Sequence, residues 1–446
     1  MNVTARERRL SAVLAVAALV AAAATIGLVG RAWFFFYDEW GVILYRRSGG
    51  ASAFLAPHNG HLQATVIVIY RVLFAAVGLR HYGAYRAVEI GLHVVCAGLL
   101  YLYASRRCRP VVAALAAVLF AFLGAGWEVL LWPVNAGFVL PLVALLGCLL
   151  LWDAGVRWEL PLTIVLGVLA VASSGLGLAV VAGLAVEAAL LRKPARLVVV
   201  GAVGVSWVAW FVLYRPSALP PAGLRSLPGA SPRGDVGSVG YSSANVGRLP
   251  GWILRSARAT VEGLCGTARP EVAYAVGAAM ALGLVWALLA RRVGIRFLAV
   301  GGALGVFWVL TGLARAAAQS PEASRYEYPA ALLVVLLLVE VVPRRLPAAA
   351  LGVGALAVAL SLLGGIHTLN RAGGGAKAAF GAEKAALARA ERCRGRLPAA
   401  TPLDPVRAPG LTAGPFWVAT SQLGYPVPPE RVGPNDSCAP GRPPAR

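Results

Sequence analysis

Apolar runs of about 17 to 25 residues recur along this chain, and the turns between them repeatedly carry paired arginines. A helix of that length just crosses a hydrocarbon core, and lipid demands that its backbone groups bond internally. The repetition therefore constrains the chain to a polytopic all-α membrane protein. Only 13% of the 446 residues are charged and 59% are hydrophobic, whereas a soluble domain carries about 25% charged residues. The net charge of +22 would suit nucleic acid in a soluble protein. Here the arginines sit in short clusters between apolar runs, as in loops facing anionic cytoplasmic lipid, so nucleic acid is excluded as a partner. Abundant Ala, Gly, Val and Arg with scarce Lys fit a bacterial source and its plasma membrane.

About eleven spans are expected. The first runs from about Leu10 to Trp33, behind Arg6, Arg8 and Arg9, and is too long for the apolar core of a cleaved signal peptide. The others lie near 83–105, 111–126, 134–152, 160–172, 176–191, 196–214, 271–290, 295–314, 327–343 and 347–366. This set places Arg106–Arg107, Arg192–Lys193, Arg291–Arg292 and Arg344–Arg345 on one side, with the N-terminus cytoplasmic. Two short runs flank Ser173-Ser174-Gly175 and read as a hairpin reaching the outer face; one interrupted helix, which would invert everything before it, is the alternative.

Residues 62–79 are apolar enough to span, yet counting them would put the Arg106 cluster outside. They also contain Gln63 and Arg71. They read as an interfacial helix in a first external loop of about 34–82. A second external loop covers about 215–270, rich in Pro, Gly and Ser, with a possible amphipathic helix at Val246–Leu264. Residues 1–366 form the transmembrane domain. Residues 367–446 form an external tail, helical at first and then Pro-rich coil. Cys265, Cys393 and Cys438 are external; a Cys393–Cys438 bridge would staple the tail, and three free thiols is the alternative, since spacing does not fix connectivity.

Acids are few, so each carries information. Asp38 and Glu39 follow the first span within FFFYDEWGVILY, where two solvated carboxylates is the bland reading. His58 and His61 share that loop in PHNGH, as metal ligands, proton carriers or a polar turn. Glu128 lies in the next short external loop. It would complete the acidic face of a cleft, bind a divalent cation (Mg or Mn) with an acid of the first loop, or make a structural hydrogen bond. Glu89 and His93 are four apart in the second span and read as a satisfied pair joining two helices. Trp40, Trp127 and Trp132 read as membrane-interface residues.

The order of these features resembles the protein O-mannosyltransferase-like branch of the GT-C membrane glycosyltransferases. Asp38-Glu39 matches that family's acid pair, His58 the His of its His-Pro-Pro turn, and Arg86 the Arg that begins its second helix. SSGLG resembles its interrupted mid-chain helices, and ASRYEYPAALLVV its late Arg-Tyr segment, here Arg325 and Tyr326. The resemblance covers about 30–190 and 320–345. Asn59-Gly60 replaces the two prolines, and His61 has no counterpart. The resemblance implies sugar transfer from a polyprenyl-phosphate donor on the outer leaflet to a glycan, lipid or protein acceptor. Asp38 is then the first choice of base and Glu39 the second, with Arg86, Arg325 and Tyr326 at the donor phosphate. A transporter or lipid flippase, or a non-catalytic protein with the same fold, is the alternative. Against transport, no internal repeat is visible and most acids lie near helix ends.

Overall fold

The computed structural model describes residues 4–58, 60–214, 242–427 and 438. Asn59, the stretch 215–241 of the second external loop, and the Pro-rich end expected as coil (428–437 and 439–446) lie outside the described residues.

The described chain is helical throughout. In order the helices are α1 (Ala5–Val29), α2 (Asp38–Tyr45), α3 (Ala51–Leu55), α4 (Ala64–Val77), α5 (Tyr82–Ser105), α6 (Pro110–Ala121), α7 (Trp127–Leu131) and α8 (Ala136–Ala154). Then come α9 (Glu159–Val171), α10 (Leu176–Leu190), α11 (Pro194–Tyr214), α12 (Leu249–Cys265), α13 (Pro270–Leu289), α14 (Ile295–Arg315), α15 (Ser324–Val341), α16 (Ala348–Arg392) and α17 (Ala413–Leu423). Every segment expected to span is helical. Among the described residues eight helical stretches are long and apolar enough to cross a membrane. Of the other three, α9 and α10 have 13 and 15 residues, and α15 carries Arg325, Glu327 and Glu340.

Ion pairs define one end of the bundle. Arg107 pairs with Asp153 at 2.8 Å and with Glu340 at 2.5 Å, and Arg296 with Glu187 at 2.5 Å and Asp153 at 3.1 Å. Arg196 meets Glu159 at 2.8 Å and Arg109 meets Glu7 at 3.0 Å. These contacts join the ends of α5, α8, α10 and α15 to the starts of α1, α9, α11 and α14. Helices α9 and α10 therefore run out and back, and their Ser173-Ser174-Gly175 turn lies at the opposite end. The acids matter because a cationic helix end is cheapest near lipid when paired.

Helix α4 lies at that opposite end. The Thr65 N–H donates to the Ala172 carbonyl at 3.1 Å, just before the hairpin turn, and the Leu79 N–H donates to the Leu423 carbonyl at 2.9 Å. The buried face of α12 carries Trp252, Ala259 and Leu264, while Leu254 is exposed, as an amphipathic surface helix requires.

The tail differs from its expected form. The boundary placed at 366 falls inside α16, which continues unbroken to Arg392. Small residues let it lie close against the bundle. A Cβ at Gly365 would come 2.3 Å from the Phe122 carbonyl oxygen, and one at Gly373 would come 2.5 Å from Val29 Cγ1. Beyond it Ala408, Leu411, Ala413 and Phe416 are buried, so the chain to 427 is packed onto the first loop rather than coiled in solvent. Cys393 is bonded to Cys438; Cys96, Cys108 and Cys148 are buried thiols and Cys265 is a half-buried one.

Two expectations for the core also change. His93 does not pair with Glu89. Its Nδ1 meets the Tyr328 hydroxyl at 2.8 Å and its Nε2 the Ala121 carbonyl at 3.0 Å, tying α5 to α15 and α6. Trp40 is buried rather than interfacial and donates to Glu383 of α16 at 2.8 Å. Trp127 and Trp132 join an aromatic cluster with Trp33, Phe36 and Phe380, with ring centroids 5.0–6.1 Å apart in the pairs Phe36–Trp132, Trp33–Phe380 and Trp33–Trp127.

Candidate functional site

The candidate site is built where α2, the His58–His61 turn, α7, and the junction of α14 with α15 meet, at the end opposite the Arg107, Arg196 and Arg296 ion pairs. Tyr37 opens it. Its φ of 45° is disfavoured for any residue with a side chain, and such strain persists only where surrounding structure holds it. Here its N–H donates to the Arg407 carbonyl of the tail at 2.7 Å. That bend starts α2 with two acids in its first turn.

Adjacent residues on a helix point about 100° apart, so the two acids diverge. Glu39 points inward and is wholly buried. Its Oε2 accepts from the Phe36 N–H at 2.9 Å and the Tyr82 hydroxyl at 3.1 Å, and its Oε1 from the Tyr70 hydroxyl at 2.5 Å. Burial outweighs these donors and raises its pKa to about 8, with the Glu383 charge adding to the rise. Glu39 holds α2, α4 and α5 together and has no surface to offer a substrate. Asp38 keeps 25% of its side chain exposed and lies 3.8 Å from His58 Nε2.

His58 and His61 exchange both backbone hydrogen bonds at 2.9 Å, which closes the turn between them. His61 Nε2 faces Arg315 Nη2 at 2.9 Å. Burial, then the Arg315 and His58 charges, hold the His61 pKa down at about 3. The ring is therefore neutral at physiological pH and accepts the guanidinium hydrogen through Nε2, with its own proton on Nδ1. Arg315, at the end of α14, is buried. It was not singled out from sequence, where it reads as one more arginine closing a span. The signal that could have found it is a cation at the end of a span opposite the arginine clusters that begin and close its neighbours.

Glu128 and Arg325 are partners. The Arg325 Nη1 donates to both Glu128 oxygens at 3.2 and 3.3 Å, the Arg325 backbone N–H donates to Oε2 at 3.0 Å, and the Glu128 N–H donates to Ser324 Oγ at 2.9 Å. Gln319 accepts from Arg325 Nη2 at 3.2 Å and from the Tyr326 hydroxyl. The Asp38 charge also acts on Arg325, so the two halves share one electrostatic environment. Arg86 is elsewhere. It is buried beneath the end of α1, donating to the Ile26 carbonyl at 2.7 Å and the Gly27 carbonyl at 3.3 Å. That caps a helix C-terminus, where a cation is stabilised by the helix dipole, and it gives Arg86 a structural task in place of the phosphate contact expected.

Among the described residues no three His, Cys, Asp or Glu side chains converge as metal ligands. Glu128 is held by Arg325, which leaves Asp38 and His58 as the neighbouring acid and imidazole among the described residues. What the cluster offers is a half-exposed carboxylate beside an imidazole, with two guanidinium groups close by.

No family model matches the chain, and no curated protein does. Among solved structures the chain is similar to the crystal structure of ArnT from Cupriavidus metallidurans bound to undecaprenyl phosphate. The TM-score is 0.54 at 15% identity, over 94% of this chain and 86% of that one. At that identity the likeness is one of fold, and the fold is GT-C-like.

Proposed function

We propose that this membrane protein transfers a sugar from a polyprenyl-phosphate donor to an acceptor at the outer face of the bacterial plasma membrane. The observation that carries this reading is the gathering of Asp38, His58, Glu128, Arg325 and the His61–Arg315 pair at the end of the bundle opposite the Arg107, Arg196 and Arg296 ion pairs. That ArnT is similar in fold and is bound to undecaprenyl phosphate supports a lipid-phosphate donor.

In the proposed reaction Asp38 accepts the proton of the acceptor hydroxyl as its oxygen bonds to the anomeric carbon. The bond from that carbon to the donor phosphate oxygen breaks, and its electron pair leaves with the lipid phosphate. Arg325 and Arg315 offer planar donors to the charge that develops there. His58 sits close enough to Asp38 to orient it, and Gln319 fixes Arg325 and Tyr326 in place. Glu39 builds the turn and takes no part in proton transfer.

The test is transfer of labelled sugar from a panel of polyprenyl-phosphate donors in proteoliposomes. Wild type should release polyprenyl phosphate, and Asp38→Asn should lose about 10²–10⁴-fold while unfolding at the wild-type temperature. Wild-type turnover in Asp38→Asn would remove Asp38 as the base. Glu89, buried in the bundle with neither carboxyl oxygen hydrogen-bonded, favours the transporter or flippase reading instead. Movement of the lipid across the bilayer with no sugar transfer would establish that alternative.

A further inference from the structure

We infer that the inner end of α1, α5 and α6 forms a binding site for the phosphodiester headgroup of an anionic phospholipid, on the face opposite the candidate active site. A cavity of about 510 Å³ opens there, lined by Arg8, Arg106, Arg109 and Arg344 with Tyr101 and Ser105.

The charge balance distinguishes it from the rest of that face. Arg107, Arg196 and Arg296 each have a carboxylate within 2.8 Å. Among the described residues, of the four arginines in the cavity only Arg109 has one, Glu7 at 3.0 Å. Arg106 donates to the Leu150 carbonyl at 3.3 Å, and Arg344 to the Arg107 and Arg106 carbonyls at 3.0 and 3.3 Å. Carbonyls orient a guanidinium without neutralising it. Four cations against one acid leave a concave positive site, which suits a phosphate.

A lipid is favoured over a soluble anion by what adjoins the cavity. The cavity lies at the ends of α1 and α5, which are long and apolar enough to cross a membrane and which expose Leu10 and Leu102 along their lengths. Their apolar surfaces suit acyl chains. Ser105 donates its hydroxyl hydrogen to the Leu102 carbonyl at 2.9 Å, which leaves its oxygen to accept from a glycerol headgroup hydroxyl. Arginines grouped at the inner end of membrane helices bind acidic headgroups through these same contacts.

The full chain is placed in nanodiscs of phosphatidylcholine with or without phosphatidylglycerol. Lipid retained after extraction is then counted by native mass spectrometry. Wild type should retain phosphatidylglycerol preferentially. Arg8→Gln/Arg106→Gln should weaken that preference on the order of tenfold, while Arg8→Lys/Arg106→Lys keeps most of it. Arg157→Gln, at the same end but outside the cavity, should match wild type. Thermal unfolding in phosphatidylcholine alone checks that each variant folds; the single Arg8→Gln change, at an exposed position, replaces the pair if it does not. Equal retention by wild type and the Gln variant, or equal loss in Arg157→Gln, overturns the site. Retention of soluble glycerol 1-phosphate as strong as that of phosphatidylglycerol overturns the assignment to lipid.

Discussion

Replacing Glu39 separates a structural carboxyl from a catalytic one. Its three donors, the Phe36 N–H and the Tyr70 and Tyr82 hydroxyls, all lie in the buried base of α2. Glu39→Ala would leave them unpaired at about 1–3 kcal/mol each, so a cost of several kcal/mol is expected. Glu39→Gln keeps the shape. Its oxygen accepts from Phe36 and Tyr82, and its amide donates to the Tyr70 oxygen, as a protonated carboxyl would. Because the folded pKa is raised to about 8 from 4.5, the folded state binds the proton more tightly than the unfolded state. The resulting stabilisation is complete below pH 4.5, falls as pH rises, and is gone above about 8, a loss of at most about 5 kcal/mol. Glu383, also raised to about 8 chiefly by burial, acts on Glu39 through its charge, so the comparison is made in a Glu383→Gln background, where the difference isolates Glu39. Unfolding followed by tryptophan fluorescence from pH 5 to 9 should show that background losing stability relative to its Glu39→Gln variant as pH rises. Transfer by Glu39→Gln should stay near wild type. A folded Glu39→Gln protein as inactive as Asp38→Asn would refute the structural assignment and return Glu39 to the chemistry.

Arg325→Lys should weaken donor use, because an ammonium cannot span both Glu128 and Gln319 and also present a fork to phosphate; Arg325→Ala should cost about 2–5 kcal/mol in transfer. Donor-concentration dependence measures both, and Lys kinetics equal to wild type would remove Arg325 from the site. Cys393→Ser should lower unfolding stability by about 4 kcal/mol from the loop of 45 residues it opens; an unchanged melting temperature under oxidising conditions would show that the bridge constrains nothing. In a Cys265→Ser background, Arg396→Cys should react with an impermeant maleimide in intact cells and Arg157→Cys only after permeabilisation. The reverse pattern would invert the proposed sidedness.

The membrane character and the helix positions were legible in the sequence because apolar run length and arginine placement answer to the bilayer alone. Residues 62–79 show this most clearly. Their apolarity suggested a span, and the arginines downstream together with Gln63 and Arg71 argued against one; the structure places α4 at the end of the bundle opposite those downstream arginines. The acid pair drew attention in the sequence because acids are few, but DEW after a first span did not distinguish solvated carboxylates from a base. What the tertiary structure decided were matters of partner and rotation. Asp38 and Glu39 are adjacent in sequence, and only the direction of α2, set by the bend at Tyr37 and the Arg407 carbonyl, exposes one and buries the other. Arg86 and Arg315 are both arginines at helix ends. One caps α1 and the other meets His61, 254 residues away in sequence. Glu128 and Arg325 are 197 residues apart. Periodicity reports which face of a helix is apolar, but a hydrogen bond depends on which distant helix arrives opposite that face, and that is settled only when the bundle packs.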